Sequence, residues 1–287
     1  MSMVHKRDLV MARCAWMLML AGLFAAMGCD QKSVDRTPAK VTSEDVRHET
    51  HGGDHASKES AMLMVTTEPE VVHADQPATL RLMIHDVGGA LLKDFETVHE
   101  QRIHLIIVRE GLDQFAHIHP QLDPDGNMTA VFTFPTGGKY RLYADHKPLG
   151  KDQATAIAEL QVSGDTPPAA ELTPNAPGNI TGDGLKADVS VENAEPSGAT
   201  KIEFRLMDAS DAPVTDLEPY MGAMGHLVII SADGKQYVHA HAAEENSTDG
   251  KVQFEAHFAK PGIYKAWGQF QRGDKIHILP FVINTAS

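Results

Sequence analysis

The chain has 287 residues, 42% hydrophobic and 22% charged, with a formal net charge of −14. Residues 1–28 hold three basic side chains and one acidic one, net +2, which leaves −16 on the remainder. An acidic body of this kind repels nucleic acid and anionic headgroups and concentrates cations, so a nucleic-acid partner is excluded; plain solubility is the blander role of the same charge.

Taken in chain order, the first element is an export signal over 1–28. Lys6, Arg7 and Arg13 form a positive start, and an apolar run follows from Cys14 to Gly28. That run, 15 residues long, falls short of the roughly 20 needed to span a bilayer, so it reads as a cleaved signal. It ends in Ala25-Ala26-Met27-Gly28-Cys29. This resembles the lipobox of bacterial lipoproteins, which implies a lipid on Cys29, a membrane anchor and a place in the cell envelope, periplasmic or at the outer face of a membrane. Ala26 stands where leucine is preferred, which keeps ordinary signal-peptidase cleavage as an alternative. The two cysteines are Cys14 and Cys29. With one removed and one lipidated, no thiolate remains, which excludes cysteine nucleophiles, thiolate zinc sites and blue-copper centres.

Residues 29–60 are polar and poor in large apolar side chains, a composition that predicts a flexible tether. His48, His51 and His55 lie in it beside Glu49 and Asp54, where they could bind metal weakly or serve as solvated spacer. From Met62 onward the texture changes to alternation at period two. Ala78–Ile84, Met128–Phe134, Lys201–Leu206 and Lys251–Phe258 are examples, separated by Gly88-Gly89, Asp125-Gly126, Gly137-Gly138, Asp233-Gly234 and Pro261-Gly262. Half-buried strands with tight turns have this signature, and no long stretch has helical spacing. A Pro-rich linker over 165–178 divides the rest into residues 61–164 and 179–287. Each half has the size and strand number of an immunoglobulin-like sandwich, so the predicted fold is all-β, two tandem immunoglobulin-like β-sandwich domains.

The halves are copies of one another. Residues 81–119 align without a gap on 203–241, with ten of 39 positions identical, among them His104/His226, His117/His239 and His119/His241. A two-residue shift then restores Gly138-Lys139-Tyr140 against Gly262-Ile263-Tyr264. An internal duplication explains this.

The histidines carry the functional signal. His117-Ile118-His119 and His239-Ala240-His241 lie on strand-like segments, where residues i and i+2 share a face and can converge on one ion. His104 and His226 open the apolar runs Leu105–Val108 and Leu227–Ile230, from which a third nitrogen can come. The expected first-half site is His104, His117 and His119 with His99 as a fourth ligand. The expected second-half site is His226, His239 and His241 with Met221 or Met224. Where the first copy has His85, His99 and Arg102 the second has Met207, Met221 and Met224, and imidazole and thioether are both ligands for copper, thioether for Cu(I) in particular. Against this stands the plain alternative: histidines that only hydrogen-bond their neighbours are inherited through a duplication as faithfully as ligands, and methionines fill cores. Tyr143 and Trp267, aligned across the copies, read as packing aromatics.

The second half, through Glu218–His226, Val238–His241 and Pro261–Phe270, is similar to YtkA-like domains, secreted bacterial modules of predicted immunoglobulin-like fold. The resemblance covers most of 200–285 and, less distinctly, 78–162. It implies metal homeostasis, copper first and zinc second, with an envelope efflux or delivery protein as partner. The leading expectation is a non-enzymatic lipoprotein that buffers, senses or delivers a metal ion. A structural or interaction module, an accessory of an envelope complex, is the alternative. No G-x-S-x-G elbow or HExxH is present to support an enzyme.

Overall fold

Period-two alternation is realised in strands such as Pro77–His85, Ala199–Met207 and Lys251–His257. The computed structural model describes residues 61–175, 178–192, 194, 198–242 and 249–285, so the signal segment, Cys29 and the histidine tether lie outside the described residues. Among those described there are strands and no helix. The first copy supplies β1 (Met62–Glu68), β2 (Val72–His73), β3 (Pro77–His85), β4 (Ile103–Arg109), β5 (Phe115–Ile118), β6 (Gln121–Leu122), β7 (Met128–Thr133), β8 (Gly138–His146) and β9 (Ala154–Ser163). The second supplies β10 (Gly178–Gly182), β11 (Leu185–Glu192), β12 (Ala199–Met207), β13 (His226–Ser231), β14 (Tyr237–His241), β15 (Lys251–His257), β16 (Gly262–Arg272) and β17 (Lys275–Thr285).

Each copy is a sandwich with immunoglobulin strand order. The second has two four-stranded sheets, β10-β11-β12-β15 and β14-β13-β16-β17. In the first, β5-β4-β8-β9 repeats the latter sheet and β1-β3-β7 repeats β11-β12-β15, with β6 added beyond β7, which gives the ABED and C′CFG order of the immunoglobulin fold. A parallel bridge, Met62 to Ile157, closes those two layers along one edge. Both copies also have the tyrosine corner of that fold: the Tyr140 hydroxyl donates to the Thr136 carbonyl at 2.9 Å and the Tyr264 hydroxyl to the Lys260 carbonyl at 2.7 Å. Local loops repeat as well. Asp86 N–H donates to Ala90 and Asp208 N–H to Ala212, both at 2.9 Å. The inner faces bury one core per copy, around Leu80, Leu82, Phe134 and Leu142 in the first and around Phe204, Phe254, Phe270 and Phe281 in the second.

Two strands are buried from end to end, and they set the architecture. In β4 and β13 every residue is buried. Leu105 and Ile107 face the first core and Leu227 and Ile229 the second, while Ile106, Val108, Val228 and Ile230 belong to a third apolar layer. A strand with apolar residues on both faces needs cover on both. Here each copy's C′CFG sheet is covered by the other's, and both belong to one compact unit of the chain, Glu49–Ser287. The layer contains two equivalent aromatic stacks, Phe115 on Trp267 at 4.6 Å and Tyr143 on Tyr237 at 5.2 Å between ring centroids. Phe115 and Tyr237 are equivalent in the repeat, as are Trp267 and Tyr143. The contacts are thus reciprocal, which is the mark of a pseudo-twofold axis. The Pro-rich connection is also held: Leu172 packs on this layer, Arg109 donates to the Pro167 carbonyl, and Asn175 accepts from Val282 N–H.

At the interface edge, Tyr143 O–H donates to the Gly234 carbonyl at 2.8 Å and Arg141 to that of Asp233 at 2.7 Å. Gly234 has φ of +70°, and a Cβ there would collide with the Arg141 guanidinium. Gly234→Ala is expected to cost about 1 kcal/mol or more from backbone strain. A urea melt should show it, whereas Gly184→Ala (also at positive φ, but with nothing near its Cβ) should show the strain alone. Equal losses in the two variants would contradict the contact.

Candidate metal centre

Strand register delivers the histidines to one end of this interface. On the first copy's interface face, His104 pairs across the ladder with Asp145, and Ile106 with both His117 and Tyr143. On the second, His226 pairs with His241 and Gln269, and Val228 with His239 and Trp267. Each sheet therefore has an apolar stretch followed by a polar row, and the two polar rows face each other. Ring centroids of His104 and His239 are 5.2 Å apart, those of His117 and His239 5.2 Å, and those of His117 and His226 6.0 Å.

Here the structure brings the two expected histidine sets together, and the expected second-half triad is one of the groups it forms. His104, His117 and His119 meet His226, His239 and His241 in one cluster between the copies. Two triads within it have ligand nitrogens lying within 4.8 Å of one another: His104, His117 and His239, and His226, His239 and His241. The first of these draws on both copies. His99, expected beside the first-half ligands, instead stacks on His241 of the second, with centroids 3.6 Å apart. Met224 is a core side chain, packed with the Phe204 and Phe254 cluster, so burial in apolar surroundings and not ligation accounts for it. Met221 is buried in a turn with φ of 48°, the position that His99 holds in the first copy with φ of 47°. The two turns lie together, since a Cβ on Gly222 would sit 3.8 Å from Glu100 Oε1.

Bonds to carbonyl and carboxylate oxygens fix which ring nitrogens carry hydrogen in His104, His226 and His239. A carbonyl only accepts, so His104 Nε2–H donates to Val98 at 3.1 Å and His226 Nε2–H to Tyr220 at 2.8 Å. His239 Nδ1–H donates to Asp145 Oδ2 at 2.9 Å, and His117 Nδ1 is hydrogen-bonded to the Gln269 side-chain amide at 3.0 Å. Asp145 is itself braced by Gln153 Nε2, which donates to both carboxylate oxygens. In neutral rings the remaining nitrogens of His226 and His239 are lone pairs that point at each other, Nδ1 to Nε2 at 3.4 Å, and the lone pair of His104 Nδ1 faces His117 Nε2 at 3.1 Å. His119 Nε2 and His241 Nε2 are buried with no hydrogen-bond partner. Facing lone pairs repel unless a proton or a cation lies between them.

Electrostatics disfavour the proton. Burial, reinforced by neighbouring imidazoles, pushes His117 and His239 well below the ordinary histidine range and His226 down to about 3. Burial also lowers His104, against the pull of Asp145, and lowers His119 and His241. The rings are neutral at physiological pH and present converged acceptors, with N–H groups tied to carbonyl and carboxylate oxygens. This is the outer-sphere pattern that orients metal-bound histidine. The donor set fits a transition-metal ion.

Asp145 and Gln269, the residues that aim His239 and His117, were not among the expected site residues. They are equivalent in the repeat under the offset that matches Tyr140 to Tyr264, and each serves the other copy's histidine. A polar side chain on the interface face of an otherwise apolar strand was the available signal. The four-residue apolar runs Leu105–Val108 and Leu227–Ile230 were the signal for the interface itself.

Two immunoglobulin-like β-sandwiches joined in one chain, with a histidine cluster between them, define the class of this protein. The chain belongs to the family described as Domain of unknown function (DUF8832), whose model matches residues 58–164 and again 180–287. That match does not itself bring in the copper association implied by resemblance to YtkA-like modules. No curated protein matches the chain. Among solved structures it is similar to the Escherichia coli adhesin FdeC, with 17% identity and a TM-score of 0.27 over 81% of this chain and 66% of that one. It is also similar to a tetra-tandem repeat from the extending region of a large adhesion protein, with 14% identity and a TM-score of 0.27 over 79% of this chain and 50% of that one. A two-domain fibronectin type III segment of chicken tenascin gives 10% identity and a TM-score of 0.23 over 78% of this chain and 99% of that one. This chain thus spans less than two thirds of either adhesin chain.

Proposed function

We propose that the protein binds a transition-metal ion between its two domains, to buffer, sense or deliver it in the cell envelope. The observation that carries this reading is the pair of facing lone pairs on His226 Nδ1 and His239 Nε2, at 3.4 Å, each ring held there by an N–H bond on its far side. His104, His117, His119, His226, His239 and His241 would supply the ligands, with His99 against His241. Met221 is the thioether of the expected set whose position still allows a part. An all-imidazole set suits copper(II) or zinc better than Cu(I), and copper(II) binds more tightly at a given nitrogen site. The ion would supply Lewis acidity or redox capacity; the chain's own residues bind it, orient it and keep the rings neutral. Export and lipid attachment at Cys29, membrane anchoring and an efflux or delivery partner belong to the same proposal and rest on the N-terminal sequence and the YtkA-like resemblance.

The test is titration of the full chain, without an affinity tag, with copper(II) and zinc. Two triple variants accompany it, His104/His117/His119→Ala and His226/His239/His241→Ala. One shared centre predicts that either triple variant loses the same tight ion. Independent losses, one ion each, would mean two separate sites, and wild-type stoichiometry in both folded variants would sink the metal reading.

A second reading, a structural or interaction module, is favoured by a specific observation. The apolar layer and the Phe115–Trp267 and Tyr143–Tyr237 stacks join the domains without help from any ion. A fixed pair of packed domains would serve as an accessory of an envelope complex.

A further inference from the structure

The outer face of β1 and β3 in the first copy has a group of side chains that neither the core nor the interdomain cluster uses. In the antiparallel ladder Met62 lies opposite His85, and Met64 opposite Met83. Directly opposed residues share a face, so these four form a two-by-two array on the side away from Leu63, Leu82 and Ile84. Met62 is 56% and Met64 43% exposed, while Met83 and His85 are half-buried. Ile157, bridged to Met62, flanks the array. His85 Nδ1 is buried and has no hydrogen-bond partner.

Single exposed apolar side chains are ordinary and need no account. Three thioethers and an orphaned imidazole nitrogen on adjoining ladder positions are a different matter. The second copy shows what the fold itself asks of these positions. By register they are Lys186 and Asp188 on β11, opposite Met207 and Arg205 on β12. Lys186, Asp188 and Arg205 take the places of Met62, Met64 and Met83 there, so the sandwich does not require methionine at those three positions. Opposed Cβ atoms in a ladder are about 4.5–5.5 Å apart and alternate ones along a strand somewhat more, within reach of flexible thioether side chains converging on one point. Sulfur is a poor hydrogen-bond acceptor and a good ligand for a soft cation.

We infer that Met62, Met64, Met83 and His85 form a second metal site, specific for a soft monovalent cation, Cu(I) or Ag(I), and distinct from the all-histidine centre between the domains. The two sites would sort one element by oxidation state, thioethers taking the reduced ion and imidazoles the oxidised one.

The probe is Ag(I), which avoids oxidation, added to the full chain with 13C-labelled methionine methyl groups and followed by NMR. The methyl signals of Met62, Met64 and Met83, assigned through single leucine variants, should shift together and saturate with one ion. Zinc should leave them in place. A Met62/Met64/Met83→Leu variant keeps volume and fold and should bind one Ag(I) fewer, and His85→Ala should weaken that ion at least tenfold. Equal Ag(I) stoichiometry in wild type and the leucine variant, unsaturating methyl shifts, or equal shifts with zinc would overturn the inference. Because the readout is methionine methyls, its failure is separate from a failure at the interdomain histidines.

Discussion

Metal-free protein is expected to lose stability steeply between pH 6.5 and pH 5. Each buried imidazole of the cluster is held below its ordinary value, His226 from 6.5 to about 3, so the unfolded chain binds protons that the folded chain refuses. A histidine whose folded value is depressed favours unfolding as pH falls through its unfolded value, and the loss continues until its folded value is reached. Each such ring contributes a slope of about 1.4 kcal/mol per pH unit once the pH is well below 6.5. If only His117, His226 and His239 count, the combined slope approaches about 4 kcal/mol per pH unit, enough to consume the stability of an ordinary domain within a few units. Urea midpoints at successive pH values, with a chelator present, measure it. A flat profile from pH 7 to 5 would contradict the neutral, proton-refusing cluster. Saturating metal should move the acid transition lower, by about 4 kcal/mol of extra stability when the free ion is at a thousand times Kd.

Asp145→Ala is expected to lower metal affinity about 10- to 100-fold while leaving every proposed ligand in place. Its carboxylate accepts the Nδ1–H of His239, the ring common to both triads, across the domain interface. Without it, that N–H has no partner in a buried setting, at a cost of about 1–3 kcal/mol, and the ring is free to turn or change tautomer. Asp145→Asn retains an acceptor oxygen and should recover part of the affinity. Gln269→Ala removes a neutral amide partner from His117, which belongs to one triad, and should cost less. Competition titrations with zinc give the ranking. A Gln269 variant weaker than the Asp145 variant would reverse the roles assigned to them.

Much of this was legible in the residues, because strand alternation and a duplicated histidine pattern are local. The pairs His117/His119 and His239/His241 share a face by the arithmetic of the strand alone. What could not be read locally was where those faces point. The bonds that fix the rings span 94 residues for His239 and Asp145 and 152 for His117 and Gln269. Met224 looked like a ligand because it stands two residues before His226, yet its side chain turns into the Phe204 core. The runs Leu105–Val108 and Leu227–Ile230 held the missing clue, since four consecutive apolar residues leave no face for water.

The reciprocal contacts between the copies have one more consequence. Phe115 with Trp267 mirrors Tyr237 with Tyr143, and His117 with Gln269 mirrors His239 with Asp145. This is the geometry of an isologous homodimer. A single ancestral domain would have built half of the centre and needed a second molecule to finish it. Joining the two in one polypeptide replaces a bimolecular encounter by an intramolecular one, so assembly of the centre no longer depends on how much protein is present. It also frees the halves to diverge, and a carboxylate at 145 with an amide at the equivalent position 269 is a distinction that no symmetric dimer could maintain.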